Sequence, residues 1–410
     1  MTGSQAIRTL VRRVSLVAGL LAASVVQAAD GPTLQRSTYN KVEAAHKLME
    51  QGRYDRALRD MRALLQDTER DYDRAVILQT MAYAHVDEND YPAAIDAFER
   101  AIALDSMPPA PTGQMRRALG RLYAATDQHA KARDMLEAWI AGNDRADAAD
   151  YAALASVYSQ LEAYAKGIDA IRKAIRLQGT PPQSHYQLLV AMCFESGRYA
   201  EAADVLETLV RRWPDEKRYW TQLANVYINL DAHTKAHATL KLAYRKDLLA
   251  SESELLNLVR VGMLAGVPDQ AARVLDAELE SGRIESNREN WALLAQAWSR
   301  ARETDAAIRA YGKAAEYADD GRYQLRQARL HMREGDWAAA AETAQAALER
   351  GGLESPGQAD LLLGMARVRQ ERYEEALQAF GRAQRHDDTA SEAGKWARYA
   401  ERRRSASRES

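Results

Sequence analysis

Small and apolar positions along this chain recur at a long, nearly constant interval. Ala57, Ala94, Ala132, Gly167, Ala202, Ala236, Ala271, Ala307, Ala340 and Ala376 follow one another at spacings of 33 to 38 residues. The surroundings of each marker are alike. An aromatic residue usually stands three positions before it, preceded by a turn, as in Gly52-Arg53-Tyr54, Gly197-Arg198-Tyr199 and Gly335-Asp336-Trp337. Twelve positions before it comes a small residue (Gly120, Ala155, Ala224, Ala295, Gly364) or a valine, usually with Leu just ahead. Four and seven positions after it come pairs such as Phe98 and Ala101, Leu240 and Ala243, Phe380 and Ala383. Two helices joined by a tight turn account for each unit. The small residues let the pair cross closely, and the larger ones fill the groove between neighbouring pairs. No segment reads as a run of strands, and the loops are short and polar.

A period near 34 residues is that of the tetratricopeptide repeat. The expected fold is therefore all-α, a right-handed tetratricopeptide superhelical solenoid of about ten helix-turn-helix repeats, rather than a non-repetitive helical bundle. At 410 residues, 28% charged and 47% apolar, an ordinary globular chain would split into domains. A solenoid need not, because each repeat contacts only its neighbours. Ser106 to Thr112 and Gly179 to Pro182 are proline-rich and read as turns between repeats. Pro214 closes the fifth repeat, where proline cannot continue a helix.

The N-terminus reads differently. Arg8, Arg12 and Arg13 precede a mostly apolar run from Val14 to Val26, then Val26-Gln27-Ala28. That order predicts a secretory signal peptide over residues 1–28, cleaved after Ala28. Arg12-Arg13 leaves a twin-arginine route open, though Ser15 stands where that signal takes an apolar residue, and an uncleaved anchor is a third possibility. The apolar run is short for a permanent span, and no Cys near the cleavage point would carry a lipid. The expected location is the periplasm, with no integral membrane segment after cleavage.

Loss of three arginines leaves 53 basic against 58 acidic residues, a net charge of −5. A mildly acidic chain offers no concentrated basic face for nucleic acid. The lone Cys193 cannot form an internal disulfide and falls where other repeats place an inward residue, so it reads as a small buried apolar side chain. The eight His are scattered. His233 and His237 share a helical spacing compatible with a metal, but His233 falls in a turn and no third ligand is near. There is no phosphate loop, nucleophile elbow or dinucleotide fingerprint. Acidic pairs such as Asp215-Glu216 and Glu374-Glu375 fall in first helical turns, where they suit the helix dipole. The seven Trp and nineteen Tyr sit mostly at repeat positions, hence in the core. The expectation is a non-enzymatic protein with no cofactor and no metal.

One pattern points to binding. Counting back from each marker gives the residues that line the inner face of the first helices. Repeat three supplies Arg117 and Arg121, repeat five Gln187 and Phe194. Asn225 and Asn229 follow in repeat six, then Arg260, Gln296, Arg300, Arg329 and Arg333. The predicted partner-binding groove is Asn225, Asn229, Arg260, Gln296, Arg300, Arg329 and Arg333. Asparagine bonds a peptide backbone as donor and acceptor, and arginine holds a carboxylate bidentately. The competing reading is a solvated polar face. The array is expected over residues 29–388, a capping helix over 389–400 with Trp396 and Tyr399 covering the last repeat, and a disordered tail over 401–410.

The segments Ser253-Glu254-Leu255-Leu256-Asn257-Leu258, Trp213-Pro214-Asp215 with Tyr219-Trp220, Asp90-Tyr91-Pro92-Ala93-Ala94-Ile95, and Gly351-Gly352-Leu353 through Pro356-Gly357-Gln358-Ala359 resemble exported tetratricopeptide proteins of the TonB/ExbB/ExbD system of Gram-negative bacteria. The resembling stretches span residues 40–400. The resemblance implies a periplasmic accessory of energised outer-membrane transport, with periplasmic segments of TonB or ExbD as partners. It carries over no catalytic residue. The alternative function is a scaffold for envelope assembly, such as polysaccharide export or outer-membrane protein biogenesis.

Overall fold

The computed structural model describes residues 32–409. The leader expected over residues 1–28, with its cleavage point, lies outside the described residues. Within them the regular structure is helical throughout. The chain divides into two compact units, Met1–Leu209 and Val210–Ser410.

The first unit holds α1 (Arg36–Glu50), α2 (Tyr54–Gln66), α3 (Asp71–Asp87), α4 (Tyr91–Ala103), α5 (Pro109–Ala125), α6 (His129–Ala141), α7 (Ala148–Gln160), α8 (Tyr164–Arg176) and α9 (Gln183–Glu195), with the division falling in α10 (Tyr199–Arg212). The second holds α11 (Lys217–Asn229), α12 (His233–Arg245), α13 (Glu252–Leu264), α14 (Pro268–Glu280), α15 (Arg288–Arg300), α16 (Thr304–Glu316), α17 (Arg322–Glu334), α18 (Trp337–Arg350), α19 (Pro356–Arg369), α20 (Tyr373–Ala383) and α21 (Ala390–Glu409). In the first unit α2 packs on α3, α4 on α5, α6 on α7 and α8 on α9. In the second, α12 packs on α13, α14 on α15, α16 on α17, α18 on α19 and α20 on α21. Packing chiefly between chain neighbours is the signature of a repeat array.

Each marker predicted from sequence is the fourth residue of its second helix, and every one is buried. The residues twelve positions earlier, from Ala45 to Gly364, are buried on the facing first helix. Five residues before each marker the chain turns through a left-handed residue, with φ between 54° and 80°. Four of these are glycine (Gly52, Gly197, Gly266, Gly335); the others are Asn89, Asp127, Glu162, Asp231, Arg302 and Glu371. The following N–H then bonds back across the turn, as Arg53 N–H does to the Leu48 carbonyl at 2.9 Å and Glu303 N–H to the Trp298 carbonyl at 3.0 Å. This closes the first helix and reverses the chain.

Three details depart from the sequence reading. Pro109 and Pro111 are not turn residues but lie in the first turn of α5, where a missing N–H has no intrahelical partner to lose. His233 is the first residue of α12 rather than part of the turn before it. The C-terminal helix does not stop at residue 400 but continues to Glu409. Residues 401–409 contain no Pro or Gly to end it, and Arg404 ties that stretch to Glu374 of α20 at 3.0 Å.

Candidate functional site

The first helices of the second unit share one burial pattern. On α11, Trp220, Leu223, Ala224 and Tyr227 turn inward, and the positions one and five after Ala224 are left exposed: Asn225 and Asn229. Those two positions are one helical turn apart and lie on one face. The same register gives Arg260 and Leu264 on α13, Gln296 and Arg300 on α15, Arg329 and Arg333 on α17, Met365 and Arg369 on α19. All seven predicted groove residues are exposed and fall on this one register.

Five of them, Asn225, Asn229, Arg260, Gln296 and Arg300, make no hydrogen bond or ion pair among the described residues. The other two are already engaged. Arg329 donates to the Gln358 side chain on α19. Arg333 donates to Thr304 Oγ1 on α16 at 2.9 Å and lies 3.7 Å from Glu334. Gln358 and Thr304 are neutral acceptors, so these bonds leave the charge of Arg329 uncompensated, while Glu334 offsets part of that of Arg333. Leu264 is 61% exposed, the most exposed large apolar side chain described, and it lies between the asparagines and the later arginines in stripe order. The stripe thus offers two amide groups first, then a cation beside an apolar contact, and mostly cations beyond.

In the first unit the same count from the markers leads elsewhere. Arg117 and Arg121 on α5 are not free lining residues. Arg117 Nε lies 2.6 Å from Asp150 Oδ1 and its Nη2 lies 2.7 Å from Asp147, while Arg121 Nη2 lies 2.8 Å from Asp150. Asp150 is fully buried in α7, and its other oxygen accepts from Trp139 Nε1 at 2.9 Å. Burial opposes the charge of Arg117, but the bonds to Asp150 and Asp147 overcome it and raise its pKa. Burial and the adjacent Arg117 lower that of Arg121. These residues join the third repeat to the fourth. Phe194 packs edge-on against Tyr199 at 5.8 Å, and Gln187 is half-buried with a partner of its own. The lining predicted for repeats three and five is therefore structural.

Cys193 is fully buried, and burial raises its thiol pKa. His237 is buried against α13, where a Cβ added at Gly262 would meet its Cδ2 at 3.1 Å. Among the described residues no group of three His, Cys, Asp or Glu is placed to hold a metal ion. Arg369 and Leu264 fall on the same register, seven positions before Ala376 and Ala271, and are legible in the sequence by the same count.

Profiles of the tetratricopeptide repeat match residues 80–151 and 325–406, residues 151–181 and residues 183–226. No curated protein matches the chain in sequence. Among solved structures, a tetratricopeptide repeat protein from Parabacteroides merdae is 12% identical, with 69% of this chain and 94% of that one covered and a TM-score of 0.38. The C-terminal part of a repeat-containing protein from Cytophaga hutchinsonii is 15% identical, with 67% and 95% covered and a TM-score of 0.39. YrrB, a repeat protein with an unusual peptide-binding site, is 16% identical, with 47% and 89% covered and a TM-score of 0.36.

Proposed function

We propose that this chain, which belongs to the tetratricopeptide-repeat family, is a periplasmic scaffold that holds an extended segment of another protein along the exposed stripe of its second unit. The observation that carries the reading is the set Asn225, Asn229, Arg260, Gln296 and Arg300. They share one register and stand exposed and unpartnered, in contrast to the paired arginines of α5. An unpaired polar side chain on a helix face is open to a ligand, whereas one already bonded to a buried carboxylate must first give up that bond.

The periplasmic part rests on the order of basic residues, apolar run and small residues ahead of Ala29. The transport part, an accessory of TonB-dependent uptake with TonB or ExbD as partner, rests on the resembling segments. Those segments also have jobs in the fold. Leu255 and Leu258 are buried in α13, and Gly351 and Gly352 have φ of 75° and 65° ahead of α19.

The test is capture of the periplasmic domains of TonB and ExbD by wild type and by a variant carrying Asn225→Ala, Asn229→Ala, Arg260→Glu and Arg300→Glu. Capture by wild type that the variant loses supports the proposal. Equal capture by both sinks the stripe as the docking surface. No capture by wild type moves the assignment to envelope assembly. N-terminal sequencing of protein released by osmotic shock checks the location: a chain starting at Ala29 is expected, and Met1 retained in a membrane pellet overturns it.

A further inference from the structure

α21 buries Ala393 and Ala400 and half-buries Trp396 and Ala397. Their spacing of three, one and three is the spacing of Trp220, Leu223, Ala224 and Tyr227 on α11. This last described helix therefore sits in the register of a first helix. The two stripe positions, one and five after Ala397, fall on Arg398 and Arg402. Both are exposed and neither makes a hydrogen bond or ion pair among the described residues. From Arg300 onward the stripe reads Arg300, Arg329, Arg333, Arg369, Arg398 and Arg402, with Met365 as its uncharged member and no carboxylate at either position. Glu334, 3.7 Å from Arg333, and Glu401, next to Arg402 in the chain, offset only part of this charge.

A recess lies where α21 passes the end of α19, lined by Arg369, Lys395, Trp396 and Tyr399. Its aromatic walls are held in place. Trp396 stacks on Phe380 at 6.4 Å between ring centroids and meets Tyr399 edge-on at 5.7 Å. Arg369 lies over the Trp337 ring at 5.4 Å, and Lys395 is exposed with no partner among the described residues. Two cations beside fixed aromatic faces, with no acid in the lining, suit a carboxylate carried by an apolar or aromatic group. The cations supply charge-assisted hydrogen bonds and the rings supply apolar area.

We infer that α21 is part of the binding surface: the recess anchors the carboxylate end of an acidic polypeptide segment that lies along the arginines from Arg300 onward. This rests on the docking role proposed for the second unit, and adds the charge of the partner and the place where it is anchored.

The test uses the full chain and a synthetic peptide of glutamates ending in phenylalanine, titrated calorimetrically with its terminal carboxylate free or amidated. Three results are expected. The free peptide binds, and binding weakens as salt rises. Amidation weakens it. Lys395→Glu with Arg398→Glu lowers affinity by about tenfold or more, and Lys395→Gln with Arg398→Gln lowers it less, while the thermal midpoint of both variants stays at the wild-type value. Failure of wild type to bind the peptide overturns the inference, as does equal affinity of wild type and the Glu variant. Binding that survives those changes but is lost in Arg260→Glu with Arg300→Glu leaves the stripe standing and removes the recess. Peptide binding that depends on Lys395 and Arg398, in a chain that captures neither TonB nor ExbD, upholds the inference and rejects that choice of partner.

Discussion

The ring of Phe380 lies so close over Gly364 that a Cβ added there would sit 2.4 Å from Cε1 and 2.6 Å from Cδ1. Gly364 is on α19 and Phe380 on α20, and this contact is where the tenth helix pair crosses. Phe380 is fully buried and has no room to withdraw. Replacing glycine by alanine in a helix interior ordinarily gains up to about 1 kcal/mol, but overpacking a filled core costs about 1–3 kcal/mol. Gly364→Ala is expected to destabilise the second unit. Gly381→Ala, in the same helix pair but with nothing within 4 Å of the new Cβ, is expected to stabilise it. Urea unfolding of the two variants decides the matter; a shift of the same sign in both would contradict this packing.

The turns between paired helices hold a second reserve of strain. Arg302 and Glu371 adopt φ of 64° and 62° at positions where four other repeats use glycine. A side chain in the left-handed region costs roughly 1–2 kcal/mol. Arg302→Gly and Glu371→Gly are each expected to raise stability by about 1 kcal/mol, less the entropy that glycine adds to the unfolded chain. Neither residue lies on the predicted stripe, so peptide binding should not move. A lowered thermal midpoint in both variants would show that the turn conformation is wrong.

Asp150 is the most heavily committed carboxylate described in the first unit. It accepts from Arg117, Arg121 and Trp139. Asp150→Ala leaves two half-buried guanidinium groups without their shared anion. Removing one partner of a buried ion pair costs about 3–5 kcal/mol, and the partial exposure of both arginines places the expected loss toward the lower end. Asp150→Asn keeps a hydrogen-bond acceptor and should lose less. Stability of Asp150→Ala within about 0.5 kcal/mol of wild type, the range of an ordinary surface change, would dissolve the network.

Acid should act through Glu254. Burial works against its charge, but Lys217, 2.8 Å away on α11, and the N–H groups of Ser251 and Ala250 overcome this and hold its carboxyl at about 2, against an ordinary 4.5. A folded-state pKa below the unfolded one gives stability that is fully present above pH 4.5 and lost as pH falls toward about 2. Unfolding midpoints measured across that window should therefore fall more steeply in wild type than in Glu254→Gln. Parallel curves would mean that Lys217 and the cap do not hold the charge.

The ten markers, the small residues opposite them and the alternation of first and second helices were all legible in the sequence. A helix repeats every 3.6 residues and a stacked pair every few dozen, so both periods are carried by spacing along the chain. The stripe positions followed by counting, which is why all seven predicted groove residues prove to be exposed. What the count could not supply was whether an arginine at a lining position was free. Arg117 and Arg260 each lie on a first helix, yet one is locked to Asp150 and the other is open. The difference lies some thirty residues along the chain, in what the next repeat's first helix brings opposite. The same limit hid Arg398 and Arg402. No marker follows them, and only the burial of Ala393, Trp396, Ala397 and Ala400 against α20 places α21 in register with the helices before it. Periodicity is local and survives in a linear sequence. The pairing of charges depends on which side chains two packed helices bring within about 3 Å of each other, and only the tertiary structure decides that.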